Sequence, residues 1–462
     1  MAMKLLVMLT TVAVGGCIAT ATPPTCIEQT RVGSGCCAEN ACGEGLTCTA
    51  NFCKASVGAV CASAADCATG LCSSAKTCDA TPTCNDGKRN GMETDTDCGG
   101  GDKCPACGNA SLCAAAKDCT SGHCRKAKCV PPGWLIGPGG DASSVTMTKV
   151  LDQQMDDPVA IGFNPNVNGE LWVTNRGDDS LTIASGIAGA AAKAVSNYAD
   201  ANLHFLEKVC AIAFSDNGDF GTCGDSRNDY SGTNKANDFM GPVEWPASIA
   251  EFKKSSADAS KVHLDMMHDT PQCMGIAAAG GSKYYVFNGL VGTIDWYDFG
   301  KPHAGGGTDH TDGAKKRFKA LGLKRVAGVP SQLALDAATG WLYIADTGNG
   351  RVVRLDTATG KQISQTKLYG DEVAQKVLTG ATLEVVVQDL GKPSGMVLFE
   401  DFLYVSDTTS GQIIAISLDG TQASSLATGL PAGAIAGLAV GPDERLYFVD
   451  RKAAQVVRVD PK

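Results

Sequence analysis

From about residue 145 onward the apolar positions recur in one template. A small or apolar trio opens each unit and a turn follows. Next comes a strand with an aromatic residue that ends in Asp or Asn, then a second turn and an alternating strand ending near Asp. Alternation over short runs bounded by Gly, Asp and Asn reads as half-buried β-strand. The copies are PVAIGFNPNVNGELWVTNRGDDSLTIAS from Pro158, CAIAFSDNGDFGTCGDS from Cys210, PQCMGIAAAGGSKYYVFNGLVGTIDWYDF from Pro271, PSQLALDAATGWLYIADTGNGRVVRLD from Pro330, PSGMVLFEDFLYVSDTTSGQIIAISLDG from Pro393 and AIAGLAVGPDERLYFVDRKAAQVVRVD from Ala434. The Cys210 copy is degraded and reads as followed by a long insertion at 224–262. One such meander cannot bury both faces, whereas radial stacking buries them and protects the edges. Six copies at a spacing of about 50 residues predict an all-β chain whose residues 145–462 form a six-bladed β-propeller. Long helical periods are missing, and no G-x-G-x-x-G follows a strand, which sets aside barrel and dinucleotide-binding folds.

Residues 26–130 obey different physics. Eighteen of the 22 cysteines lie between Cys26 and Cys129, in a stretch nearly free of large apolar side chains. Cross-links must replace a core there, in an oxidising compartment. CASAADCATGLCSSAKTC from Cys61 and CAAAKDCTSGHCRKAKC from Cys113 repeat C-x5-C-x4-C with Asp before the second Cys. A disulfide-knotted stalk is expected. An intracellular zinc array would need C-x2-C pairs, and only Cys104 and Cys107 have that spacing. Asp86, Asn90, Glu93, Asp95 and Asp97 place oxygen ligands suited to calcium in one Gly-rich region, or form a solvated acidic loop. Residues 131–144, opening PPGWLIGPGG, read as a linker. The passage at 61–129 resembles Cys-rich spacer repeats of myxobacterial surface proteins. The propeller units from Pro271 onward, with YIADTGNGRVVRLD, resemble NHL-type propellers.

The N-terminus reads as an export signal at 1–16: one Lys, an apolar run too short to anchor, then small residues. Val14-Gly15-Gly16-Cys17 resembles the lipobox of bacterial lipoproteins. The resemblance implies an acylated Cys17 inserted in a lipid bilayer, with 17–25 as a tether, at the outer membrane or cell surface. The alternative is free secretion. With 49 acidic and 39 basic residues the formal charge is -10, and no basic stripe with interleaved aromatics occurs. A phosphate backbone is repelled by such a surface, so nucleic acid is not an expected partner.

Candidate chemistry comes from histidine. Five of six lie between His204 and His310: His263 and His268 in HLDMMHDTPQCMG, His303 and His310 in KPHAGGGTDHTDG, and His204 ahead of the second blade. Both segments flank the third blade. His with Asp favours zinc, copper, nickel or iron over magnesium. The expectation is a zinc or copper site at the channel mouth, held by some of His263, His268, His303 and His310. A metal-bound water would be the nucleophile, with Asp265 or Asp269 accepting a proton. The opposing reading is a set of unconnected polar loop residues. Cys210 and Cys223 flank a hairpin-sized segment and are expected to pair, leaving Cys273 as a thiolate ligand or a small buried residue. Gly305-Gly306-Gly307 suits a close backbone approach or a lid, and Phe239 to Pro242 with Trp245 suit a cover or recognition loop. Arg176, Arg227, Tyr230 and Arg351 are candidate substrate contacts. Asp346, Asp407 and Asp450 end equivalent strands and read as turn caps.

Extracellular propellers with histidines at the mouth are similar to peptidyl-amide-forming lyase domains. That resemblance implies axial zinc, deeper calcium and a peptide substrate. This chain departs from it, since its histidines cluster around one blade. Two function classes therefore stand: a metal-dependent lyase or hydrolase on a small or peptide substrate, and a non-enzymatic module that binds a surface glycan, peptide or partner protein.

Overall fold

The computed structural model describes residues 46–80, 83–101, 103–187, 191–227, 238–303, 309–367 and 373–462, with Val32, Cys42, Glu44 and Gly307 besides. The export signal, Cys17, the tether, Tyr230, Gly305 and Gly306 lie outside the described residues. The chain divides into two units, Met1–Val130 and Pro131–Lys462.

The first unit is built from cystines. Cys61 pairs with Cys72 and Cys67 with Cys78 in one repeat; Cys113 pairs with Cys124 and Cys119 with Cys129 in the other. Cys84–Cys104 and Cys98–Cys107 tie the passage between them. The buried clusters consist largely of these sulfurs. The repeated Asp has a structural cause. Asp66 accepts from the backbone of Ala62 and Ser63, and Asp118 from Ala114, Ala115, Gly100 and Gly101. The acidic region is likewise engaged: Asp97 accepts from Gly87, Asp86 from Lys88 and Asn90, Glu93 from Asn90, and Asp95 from Leu112.

In the second unit six sheets contain the expected blades, and their innermost strands are Pro158–Phe163, Val209–Phe214, Cys273–Ala278, Leu333–Asp336, Pro393–Phe399 and Ile435–Val440. The ring closes across the ends of the unit. Val145–Leu151 is the outermost strand of the last blade, paired antiparallel to Gln455–Pro461 with Val459 opposite Met147. Each second strand buries an aromatic: Trp172, Phe220, Tyr284, Tyr343, Tyr404 and Tyr447. Each contributes roughly 1.5–3 kcal/mol or more of burial. Inner strands approach backbone to backbone. A Cβ on Gly395 would lie 2.2 Å from the carbonyl oxygen of Ala436, and one on Gly437 2.7 Å from the Cα of Ala160. Hence small residues precede the apolar trios. Asp407 accepts from the backbone of Lys392 and Thr409, and Asp450 from Lys452 and Ala453, as turn caps do.

Three expectations are corrected. Cys273 is bonded to Cys223, and Cys210 is the free, buried thiol among the described residues, so Cys273 is no metal ligand. The two bonded residues sit on neighbouring blades, which a separation of 50 residues conceals. The segment at 224–262 is not wholly an insertion: Val243–Pro246 is the third strand of the second blade, with Trp245 buried in its core. The stretch read as a linker packs on the propeller. Trp134, Leu135 and Ile136 are buried, and a Cβ on Gly133 would strike Ala415.

Candidate metal centre

The outer half of the second blade carries the first ligand. Asp265–Met266 is its fourth strand, paired with Val243–Pro246 so that Asp265 lies opposite Glu244. The chain then crosses to the third blade through His268 and Asp269. His303 and His310 lie between that blade's third strand, Thr293–Asp298, and its fourth, Ala314–Phe318. Residues 45 positions apart in sequence thereby meet: His310 Nδ1 is 2.5 Å from Asp265 Oδ1. His303 Nε2 is 4.0 Å from the same oxygen.

One ligand atom from each of Asp265, His303 and His310 lies within 4.8 Å of the others. Ligands about 2.0–2.2 Å from a tetrahedral zinc stand roughly 3.3 Å apart, so a modest contraction of this set would suit an ion. Asp265 Oδ2 has no hydrogen-bond partner among the described residues, although Asp265 is fully buried. A buried carboxylate oxygen in that state is costly unless a cation or donor reaches it.

The other histidines form the surround. The His263 ring lies 4.8 Å from that of His303, and the His268 ring 5.7 Å from that of His310. His263 stacks on Phe205 at 4.3 Å, with its Nδ1 against the Ala259 carbonyl at 3.2 Å. Burial, then His303 nearby, pulls the His263 pKa down to about 4, so its ring stays neutral and able to ligate near pH 7. His204 joins this neighbourhood through Phe239, whose ring stacks at 5.5 Å on His204 and lies 3.7 Å from His268. Burial also pulls His204 down to about 4. Phe239 is thus an aromatic wall of the cluster.

Asp269 serves a neighbouring network. Its carboxylate pairs with Arg317 at 3.3 Å, and Arg317 also donates to Asp295 at 2.8 and 2.6 Å. Burial pushes Asp269 up to about 6, with Arg317 opposing the rise. Tyr297 donates to the His268 carbonyl at 3.0 Å and fixes that residue's backbone. Arg317, Asp295 and Tyr297 were not singled out in the sequence, although RF and DWY at strand alternation held the signal.

The cluster is not at the channel mouth. It is built from fourth strands and the loops beside them, whereas the axis is lined by the six inner strands. Those strands surround a cavity of about 290 Å³ lined mainly by residues with apolar side chains, and its one polar side chain, Gln332, donates to the Cys210 carbonyl. The register of the trios located the third blade correctly but could not give radial depth. The arginines expected as substrate contacts are ion-paired: Arg176 with Asp225, Arg227 with Asp238 and Arg351 with Asp346.

No family model matches the chain, and no curated protein matches it. Solved structures are similar to it at low identity. An auxiliary nutrient binding protein from Bacteroides ovatus is 13% identical over 69% of this chain and 77% of its own, with a TM-score of 0.44. Virginiamycin B lyase from Staphylococcus aureus is 12% identical over 68% and 98%, with a TM-score of 0.40. A luciferin-regenerating enzyme is 12% identical over 68% and 95%, with a TM-score of 0.42.

Proposed function

We propose that the propeller is an extracytoplasmic metal-centred domain in which Asp265, His303 and His310 hold one zinc or copper ion, with His263 and His268 as a fourth ligand or as orienting neighbours. The observation that carries this reading is the buried two-His, one-carboxylate set within 4.8 Å. Imidazole suits both metals, and the neutral His263 ring adds a further donor. Three protein ligands leave one position of a tetrahedral ion for water, which is the arrangement of catalytic zinc. When bound, the ion would supply a water of lowered pKa for lyase or hydrolase chemistry on a small or peptide substrate. Asp269 is then the proton acceptor, its pKa of about 6 being suited to neutral pH.

A second reading has its own support. The side chains of Asp265, His303 and His310 are only 0%, 6% and 5% exposed. Such burial fits a structural ion in a module that binds a glycan, peptide or partner protein. Under either reading we place the chain at the outer membrane or cell surface, held by an acylated Cys17, with the cystine-rich stalk as spacer. That location agrees with a fold that needs oxidised cysteines.

Cobalt(II) substitution tests the centre. Full-length protein loaded with Co²⁺ should show the visible bands of a four- or five-coordinate site, and His310→Ala should lose them. Only hexaaquo-like absorption in the parent would end the proposal. Substrate exchange with the bound ion, read as a band shift on adding small carboxylates or peptides, separates a catalytic ion from a structural one.

A further inference from the structure

His268 enters the third blade through a crossing held more firmly than a turn requires. Asp269, the next residue, has a φ of 80°, in the left-handed region that side chains other than glycine seldom occupy. Such a conformation persists only where its surroundings over-determine it. Here they do so at three successive residues. The His268 carbonyl accepts from the Tyr297 hydroxyl at 3.0 Å. The Asp269 carbonyl accepts from Asn288 Nδ2 at 3.2 Å and from Arg317 Nη2. Thr270 donates its N–H to the Met240 carbonyl at 2.9 Å and its hydroxyl to Asp295 Oδ2 at 2.8 Å, and that hydroxyl also touches the Tyr297 hydroxyl. Thr270, Asp295 and Tyr297 are fully buried, so water does not compete for these bonds.

The clamp is anchored on the strands that flank the other imidazoles. Asp295 and Tyr297 lie on Thr293–Asp298, and Arg317 stands opposite Asp295 on Ala314–Phe318. The connection between these two strands carries His303 and His310. Holding the crossing to this pair of strands therefore sets His268 relative to His310. Ring spacing agrees with a shared ion. Two imidazoles on one tetrahedral zinc, with Zn–N of about 2.0–2.1 Å, have ring centres roughly 5.2 Å apart. The His268 and His310 rings are 5.7 Å apart, and the His303 and His310 rings 5.6 Å. Phe239, 3.7 Å from the His268 ring, packs against it.

We infer that His268 is the fourth protein ligand of the ion and that Tyr297, Thr270, Asp295 and Arg317 are the positioning residues that present it. The inference rests on the metal reading and assigns the ion's fourth position. With His268 in place the tetrahedron is closed by protein, and a small molecule reaches the ion only by expanding it to five ligands.

The test is titration of Co²⁺ into metal-free full-length protein, read by the visible bands, in a cycle of Tyr297→Phe and His268→Ala. Tyr297→Phe should weaken Co²⁺ binding about tenfold or more and alter the bands, as loss of an orienting neighbour does. His268→Ala should move the bands toward higher coordination, and adding Tyr297→Phe to it should change nothing further. In a His263→Ala background the Tyr297→Phe effect should remain in full. Thr270→Val, which keeps the shape and removes the hydroxyl, should repeat the Tyr297→Phe result and serves if the Phe variant does not fold. An equal loss from Tyr297→Phe with and without His268 marks the clamp as structural only and overturns the inference, as does an unchanged spectrum in His268→Ala. A parent with only hexaaquo-like absorption removes the metal centre itself and the inference with it.

Discussion

Glu244 provides a stability experiment whose sign and size follow from its surroundings. It lies opposite Asp265, is fully buried, accepts from the Tyr284 hydroxyl at 3.2 Å through Oε1, and has an Oε2 with no hydrogen-bond partner among the described residues. Burial, then the charge of Asp219, pushes this carboxyl from 4.5 up to about 8. Between those values the folded chain keeps a proton that the unfolded chain has lost. Stability from this group is therefore fully present below about pH 4.5 and is lost as pH rises through about 8. At about 1.4 kcal/mol per pH unit the window amounts to ~5 kcal/mol, and relaxation of the interior lowers the expected loss to about 3 kcal/mol. Glu244→Gln keeps the shape and the acceptor but cannot ionise. Urea unfolding of parent and variant at pH 5, 7 and 9, with chelator throughout, isolates the effect because all other groups cancel in the difference. The two should be nearly equal at pH 5, and the variant more stable by about 3 kcal/mol at pH 9. A cation bound at Asp265 would offset the charge of ionised Glu244, so added zinc should narrow the gap. A difference that stays flat from pH 5 to 9, or a parent that gains on the variant, would refute the reasoning.

Arg317→Met leaves Asp295 and Asp269 buried without their cation and should cost about 3–5 kcal/mol in urea unfolding, against under about 1 kcal/mol for a surface pair such as Lys149–Asp152. Cys210 is the free thiol, so alkylation of the native chain should leave it unlabelled and alkylation in denaturant should add one label within residues 210–273, seen by peptide mass; two or three labels there would contradict the Cys223–Cys273 bond. A chain starting at Asp152 lacks the closing strand and uncovers Val456 and Val459, and it should lose cooperative thermal unfolding or aggregate on size exclusion.

The blade count was legible because each blade repeats the same local demands: a trio that tolerates close backbone approach, a buried aromatic and a capped turn. Gly395, Tyr404 and Asp407 meet all three within one copy. The second blade hid its third strand because Val243–Pro246 is short and stands far from its partners in sequence. Contacts between blades were beyond a one-dimensional pattern, which is why the economical Cys210–Cys223 pairing was the wrong one. The stretch at 131–140 has linker composition, yet Trp134 to Ile136 supply enough apolar surface to dock. Convergence of His303 and His310 near Asp265 was legible from residue scarcity and from their common blade. Their radial depth was not, because the repeat register orders residues along strands and around the ring but says nothing about which strand of a blade a loop serves.

The central claim is that two imidazoles of one segment and a carboxylate of another form a metal centre. Elemental analysis of the purified full-length chain, after equilibration with zinc and copper at micromolar levels and dialysis, tests it most directly. About one transition ion per chain is predicted, falling to background in Asp265→Ala with His303→Ala and His310→Ala, and unchanged in His123→Ala. No retained ion in the parent, or the same content in the triple variant, would contradict the account.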